Sequence, residues 1–142
     1  MVFLHDPEAT RRLWDGTLFH TNDLAVRDED DFLFYRGRAD GIIKTKGYRV
    51  SPVEIEDVLC LHPAVYECLA SGIPDRDLGQ KIKVYVCLAP GYTPSETLKQ
   101  ELIQFHNDQA AGFKKIRALD FVPELAHNAS GKIIRGQFRR PL

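Results

Sequence analysis

Between residues 81 and 89, Ile82, Val84, Val86 and Leu88 alternate with Lys83, Tyr85 and Cys87. A period of two puts the two sets on opposite faces of a pleat, so this run predicts a strand with one face buried. A sheet buried on one face needs a second layer to cover it, and the flanking segments supply candidates. Ser51-Pro52-Val53-Glu54 and Thr93-Pro94-Ser95-Glu96 each read as a capping box that includes a proline. The first opens a helix with Ile55, Val58, Leu59 and His62 on one face, ended by Pro63. The second opens a helix with Leu98, Leu102, Phe105 and Gln109 in register. Further strands are predicted at 66–73, stopped by the turn Pro74-Asp75, and at 116–122. A polar loop over 127–132 then leads into a short basic helix through Phe138.

The start of the chain is less regular. Asp6-Pro7-Glu8 combines a capping side chain, a proline at the first helical position and an acid in the first turn, and predicts a helix to about Trp14. Residues 32–35 read as a strand after the acidic turn 28–31. The expected class is α+β: a small mixed sheet with helices packed on one face, preceded by short strands. A ferredoxin-like domain has the same pattern, so the pattern alone assigns no function.

Composition removes several classes. At 142 residues the chain is the size of one domain, and its formal net charge of −1 gives no bulk attraction to nucleic acid or to a membrane surface. No run of about eighteen apolar residues is present. Asp6, Glu8, Arg11 and Arg12 stand where a signal peptide needs an apolar stretch, so a cytoplasmic location is expected. Cys60, Cys68 and Cys87 are odd in number and lack CxxC spacing, which predicts buried, reduced thiols. The five histidines are scattered without paired spacing, and no metal site is expected.

Three polar, glycine-bearing segments lie between these elements. They are 19–24 (Phe-His-Thr-Asn-Asp-Leu), 37–50 (Gly-Arg-Ala-Asp-Gly-Ile-Ile-Lys-Thr-Lys-Gly-Tyr-Arg-Val) running into 51–56, and 128–135 (Asn-Ala-Ser-Gly-Lys-Ile-Ile-Arg). As bare residues, the first fits an Asx turn, the stretch around Asp40 a surface turn, and 44–49 a basic hairpin with solvated lysines. In order and spacing, however, the three resemble late motifs of the adenylate-forming superfamily. That family includes acyl-CoA synthetases, firefly-type luciferases and the adenylation domains of peptide synthetases. The resemblance covers nearly the whole chain, from 6–10 onward.

The resemblance implies specific roles. Asp23 matches the acid of a threonine-glycine-aspartate motif that grips the ribose hydroxyls of ATP, a task a carboxylate performs by accepting two hydrogen bonds from a diol. The glycine of that motif is Asn22 here, a residue that tolerates left-handed backbone. Arg38 matches an arginine that contacts ribose or phosphate, and Asp40 the hinge about which a small domain rotates between two half-reactions. Lys46, Gly47 and Tyr48 match the loop lining the pantetheine tunnel, with Arg49 meeting a phosphate. Lys132 matches the lysine whose ammonium contacts carboxylate and phosphate during adenylation. The proline that the family carries a few residues earlier is Ala126 here.

The implied cofactors are ATP or AMP with magnesium, the metal being held mainly by another domain and the nucleotide, and CoA or phosphopantetheine as acceptor. No Ser/Thr/Gly-rich phosphate loop occurs in these residues, and Ser130-Gly131-Lys132 lacks the rest of a P-loop. Residues 1–39 are therefore expected to be the end of a large ATP-binding domain, and 40–142 a mobile lid domain. The expected partner is a large N-terminal adenylation domain or subunit, as in a split enzyme or an excised lid, with an acyl carrier protein as a second candidate. Two alternatives stay open: a non-catalytic module that docks a carrier protein or a synthetase, and an inactive luciferase-like remnant.

Overall fold

The structure, a computed structural model, describes residues 6–138. Contacts divide the chain into two compact units, Met1–Asp40 and Gly41–Leu142.

The first unit holds helix α1 (Pro7–Leu13), capped by the Asp6 carboxylate, which accepts from the Ala9 N–H. Two antiparallel ribbons follow: β1 (Trp14–Asp15) with β2 (Leu18–Phe19), and β3 (Asp23–Arg27) with β4 (Leu33–Arg38). The β4 strand predicted at 32–35 runs on to Arg38. Residues of β3 and β4 are exposed throughout, apart from Gly37. Two-stranded ribbons of this kind are marginal by themselves in water.

The second unit contains the two-layer core. Strand β5 (Ile43–Thr45) pairs with β6 (Tyr48–Val50) and touches β8 (Gly79–Leu88) at Thr45↔Gly79. β8 pairs antiparallel with β7 (Val65–Asp75) along almost its whole length, and further on it pairs in parallel with β9 (Ile116–Phe121). The sheet is thus mixed. Helix α2 (Pro52–Leu59) packs on β7 and α3 (Glu96–Asn107) on β9. The alternation read in β8 is realised: Ile82, Val84 and Val86 are buried in one cluster with Ile43, Val50, Ile55, Leu59, Leu102, Ile116 and Leu119.

Several local expectations are corrected. Ser51 is the N-cap of α2 but its side chain makes no cap bond, and Glu54 instead meets Lys114 at 2.7 Å. The second cap is Ser95, two residues later than the box beginning at Thr93; its Oγ accepts from the Leu98 N–H. α2 stops at Leu59 and α3 at Asn107, so His62 and Gln109 lie beyond the helices assigned to them. Pro74-Asp75 does not stop β7, since Pro74 pairs with Gln80. Proline is tolerated there because β7 has a ladder partner on one side only. Cys68 and Cys87 are buried but Cys60 is exposed. Its sulfur lies 3.8 Å from that of Cys68, whose thiol is pushed up chiefly by burial and then by Cys60. The final basic segment is a 3-10 turn, Arg135–Phe138.

Gly72 marks the tightest point. A Cβ there would sit 2.7 Å from Gln80 Oε1 and 2.9 Å from Ile43 Cγ2. Gln80 Oε1 accepts the Lys44 N–H at 2.8 Å, so its side chain is not free to give way. Gly72→Ala is expected to destabilise the fold by about 1–3 kcal/mol and to speed hydrogen exchange at the Lys44 amide. Urea unfolding and amide exchange measure both, and an unchanged unfolding midpoint would contradict the packing described here.

Candidate functional site

The residues singled out from sequence fall into three groups. In the first unit, β3 and β4 pair Asp23 with Arg38, whose Nη1 lies 3.6 Å from Asp23 Oδ1 and donates to the Thr21 carbonyl at 3.3 Å. Asn22 has φ of 61°, the left-handed conformation anticipated for the residue in the glycine's place, and its carbonyl accepts the Ala39 N–H. Both charged side chains remain nearly half exposed. Asp40 lies in the 3-10 turn Ala39–Gly41, and its side chain is outside the described residues.

The second group is the hairpin joining β5 to β6. Lys46 and Gly47 form its two-residue loop, with φ of 49° and 79°. Positive φ at both positions matches the right-handed twist of the paired strands, and glycine meets that demand without strain. A Cβ on Gly47 would meet nothing within 4 Å, so backbone conformation rather than crowding accounts for the residue. The Lys46 N–H donates to the Leu78 carbonyl, and Arg49 pairs with Lys44 across the hairpin.

Tyr48 stacks on Phe113, with ring centroids 4.2 Å apart and planes 10° from parallel. That contact brings in residues the sequence reading missed. Lys46, Phe113, Lys115 and Arg117 line one small pocket, and Lys114 lies over the Phe113 ring at 5.9 Å. The basic run 114–117 was visible in the sequence, but only the parallel pairing of β9 with β8 sets it beside a hairpin more than sixty residues earlier.

The third group is the loop carrying Lys132. Asn128 Oδ1 accepts from the Ser130 N–H, the Ser130 hydroxyl and the Lys132 N–H, at 3.0, 2.8 and 2.9 Å. The Asn128 N–H donates to the Lys132 carbonyl and its own carbonyl accepts from Gly131, which has φ of 78°. One asparagine therefore organises a five-residue loop whose side chains are exposed, Lys132 among them. An isolated bridge, His127↔Ile133, closes its base.

An open cleft of about 510 Å³ between the start of α3 and β9 contains none of these residues. Its lining includes Tyr85, Ser95, Lys99 and Asp120. Among the described residues no cluster of three or more His, Cys, Asp or Glu side chains could hold a metal ion. Among the described residues no helix is long and apolar enough to cross a membrane.

A two-layer unit of this topology matches known proteins. The family pattern of the AMP-binding enzyme C-terminal domain covers residues 54–132, and the chain belongs to that family. It is 39% identical over 122 residues to 4-hydroxybutyrate–CoA ligase 1 of Metallosphaera sedula, covering 86% of this chain and 22% of that protein. It is 35% identical over 142 residues to the mitochondrial acyl-coenzyme A synthetase ACSM1 of Homo sapiens, covering 99% of this chain and 25% of the relative. Among solved structures, the anthranilate CoA ligase AuaEII in complex with anthranoyl-AMP superposes with a TM-score of 0.85 at 36% identity, over 94% of this chain and 26% of that one. The o-succinylbenzoate CoA synthetase of Bacillus subtilis, in complex with its acyl-adenylate, gives 0.84 at 27% identity, over 99% and 28%. The chain spans about a quarter of the length of these relatives.

Proposed function

We propose that this chain is the lid part of an AMP-forming acyl-activating ligase, working with a large ATP-binding domain. It would supply Lys132 to carboxylate adenylation and the Lys46-Gly47-Tyr48 hairpin to thioester formation. The observation that carries this reading is the loop around Asn128, which pins the backbone of Lys132 on both sides while leaving its side chain exposed. A lysine so presented suits a site assembled when another domain closes over it.

In the first half-reaction a carboxylate oxygen attacks the α-phosphorus of ATP, the bond to the β-phosphate oxygen breaks, and pyrophosphate leaves. The Lys132 ammonium is a compact positive charge for the carboxylate and the phosphate as negative charge shifts toward the leaving group. Asp23 and Arg38 suit the ribose hydroxyls and phosphate of the nucleotide, and magnesium would be held mainly by the nucleotide and the large domain. In the second half-reaction a pantetheine sulfur attacks the acyl carbon and AMP leaves. The hairpin would border the path of the pantetheine, and Arg49 and the cations beside the Tyr48–Phe113 stack are suited to the phosphates of CoA or of a carrier-bound phosphopantetheine. Asp40 would be the pivot between the two arrangements.

The exposed apolar residues of β3 and β4 support a partner for the first unit. Leu33 is 70% exposed and Phe34 52%, and uncovered apolar surface of that kind marks a docking face. The test is pyrophosphate exchange. These 142 residues alone should show none with any acid, because they contain no phosphate loop. Joined to, or mixed with, a large domain from an acyl-CoA ligase, they should restore it. Robust exchange by the chain alone would overturn the division of labour. Binding of a carrier protein with no turnover in any pairing would instead favour a docking module.

A further inference from the structure

From His127 to Ile134 no side chain is buried; the last fully buried apolar anchor before the loop is Leu125, at 2% exposure. Apolar packing beside Lys132 is limited to the partly buried Ile133, and the loop's own hydrogen bonds fix its shape but not its position on the domain. Two polar ties do that. Arg135, three residues past Lys132, donates from Nη1 to Glu56 Oε1 and from Nη2 to Glu56 Oε2, each at 2.7 Å. This is a two-point guanidinium–carboxylate fork, which sets orientation as well as distance. Glu56 lies on α2 with its side chain only 12% exposed, and its Oε1 also accepts the Ala70 N–H of β7 at 2.8 Å. On the other flank, His127 Nε2 lies 2.9 Å from Glu67 Oε2, also on β7.

We infer that Glu56 and Arg135 are positioning residues for Lys132: their fork locks the lysine loop to α2 and the β7 edge, with His127–Glu67 as the second tie. The inference rests on the adenylation role proposed for Lys132. It adds a consequence for the whole domain. α2 begins two residues after β6. The helix thus follows the hairpin in the chain and, through the Glu56 carboxylate, holds the lysine loop.

The fork predicts effects separable from folding. In the 142-residue chain, Arg135→Ala should speed amide exchange roughly 10-fold or more at Lys132 and Ile134, whose N–H groups bond within the loop, and leave the amides of β8 unchanged. With a large domain present, the same variant should lower the maximal rate of pyrophosphate exchange by roughly 10- to 100-fold, since displacement by about an ångström costs on that order. The KM for ATP and thioester formation from pre-formed acyl-adenylate should hold. Arg135→Lys should recover part of the rate, since an ammonium can still meet the Glu56 carboxylate at one point. Unchanged exchange at Lys132 and Ile134 overturns the clamp whatever the activity. Faster exchange at those amides with full adenylation by a working pair overturns the positioning role alone. If wild type paired with a large domain shows no adenylation at all, the proposed function falls and the inference falls with it.

Discussion

Lys132→Ala is expected to slow acyl-adenylate formation by roughly 100- to 1,000-fold, about 3–4 kcal/mol, in a complex with a large ATP-binding domain. The effect should be clean because the loop does not depend on the lysine side chain. Asn128 binds the main-chain N–H and carbonyl of residue 132, and alanine keeps both. Neither fork nor bridge involves the ammonium. Thioester formation from acyl-adenylate added ready-made should stay near the wild-type rate, since that step is proposed to use the hairpin surface. Pyrophosphate exchange and a single-turnover thiol transfer, run side by side, measure the two steps. An equal fall in both would mean that Lys132 has another role or that the loop has collapsed, and amide exchange at Ile134 tells these apart.

Asp40→Pro should abolish overall acyl transfer while sparing one half-reaction. The division between the two units falls after residue 40. Proline there holds φ near −65°, removes a backbone donor and pushes Ala39 toward an extended conformation. Ala39 opens a 3-10 turn in this structure, and its N–H donates to the Asn22 carbonyl at 2.8 Å. A pivot so restricted should be trapped in one of its two arrangements. Rates of each half-reaction and of the coupled reaction are the measurement, together with affinity for the large domain. A coupled rate equal to wild type would remove Asp40 as the pivot. A module that merely docks should bind its partner as before and show no difference between the half-reactions.

What could be read in advance follows from how local each signal is. The Asp6 cap, the alternation in β8 and the left-handed backbone at Asn22 depend on a residue and its immediate neighbours, and they were legible. Ser51 and Thr93 misled because a capping box is a statistical preference that tertiary partners override. Glu54 has Lys114 available at 2.7 Å, and at α3 it is Ser95 that caps the helix. Cys60 misled because average burial of cysteine says nothing of one at the end of a helix facing water.

The amino-acid sequence by itself determined the class of fold, a matter of period and turn chemistry, and carried the family resemblance from which roles for Lys132 and the hairpin are proposed. Tertiary structure alone decided what holds those residues in place. Glu56 and Arg135 are 79 positions apart and Lys114 is 60 from Glu54, separations at which no local pattern constrains a pairing. The Tyr48–Phe113 stack depends in the same way on β9 lying parallel beside β8. An ion pair or a ring stack needs its partners within a few ångströms, and for distant residues that proximity exists only once the sheet has assembled and chosen its register.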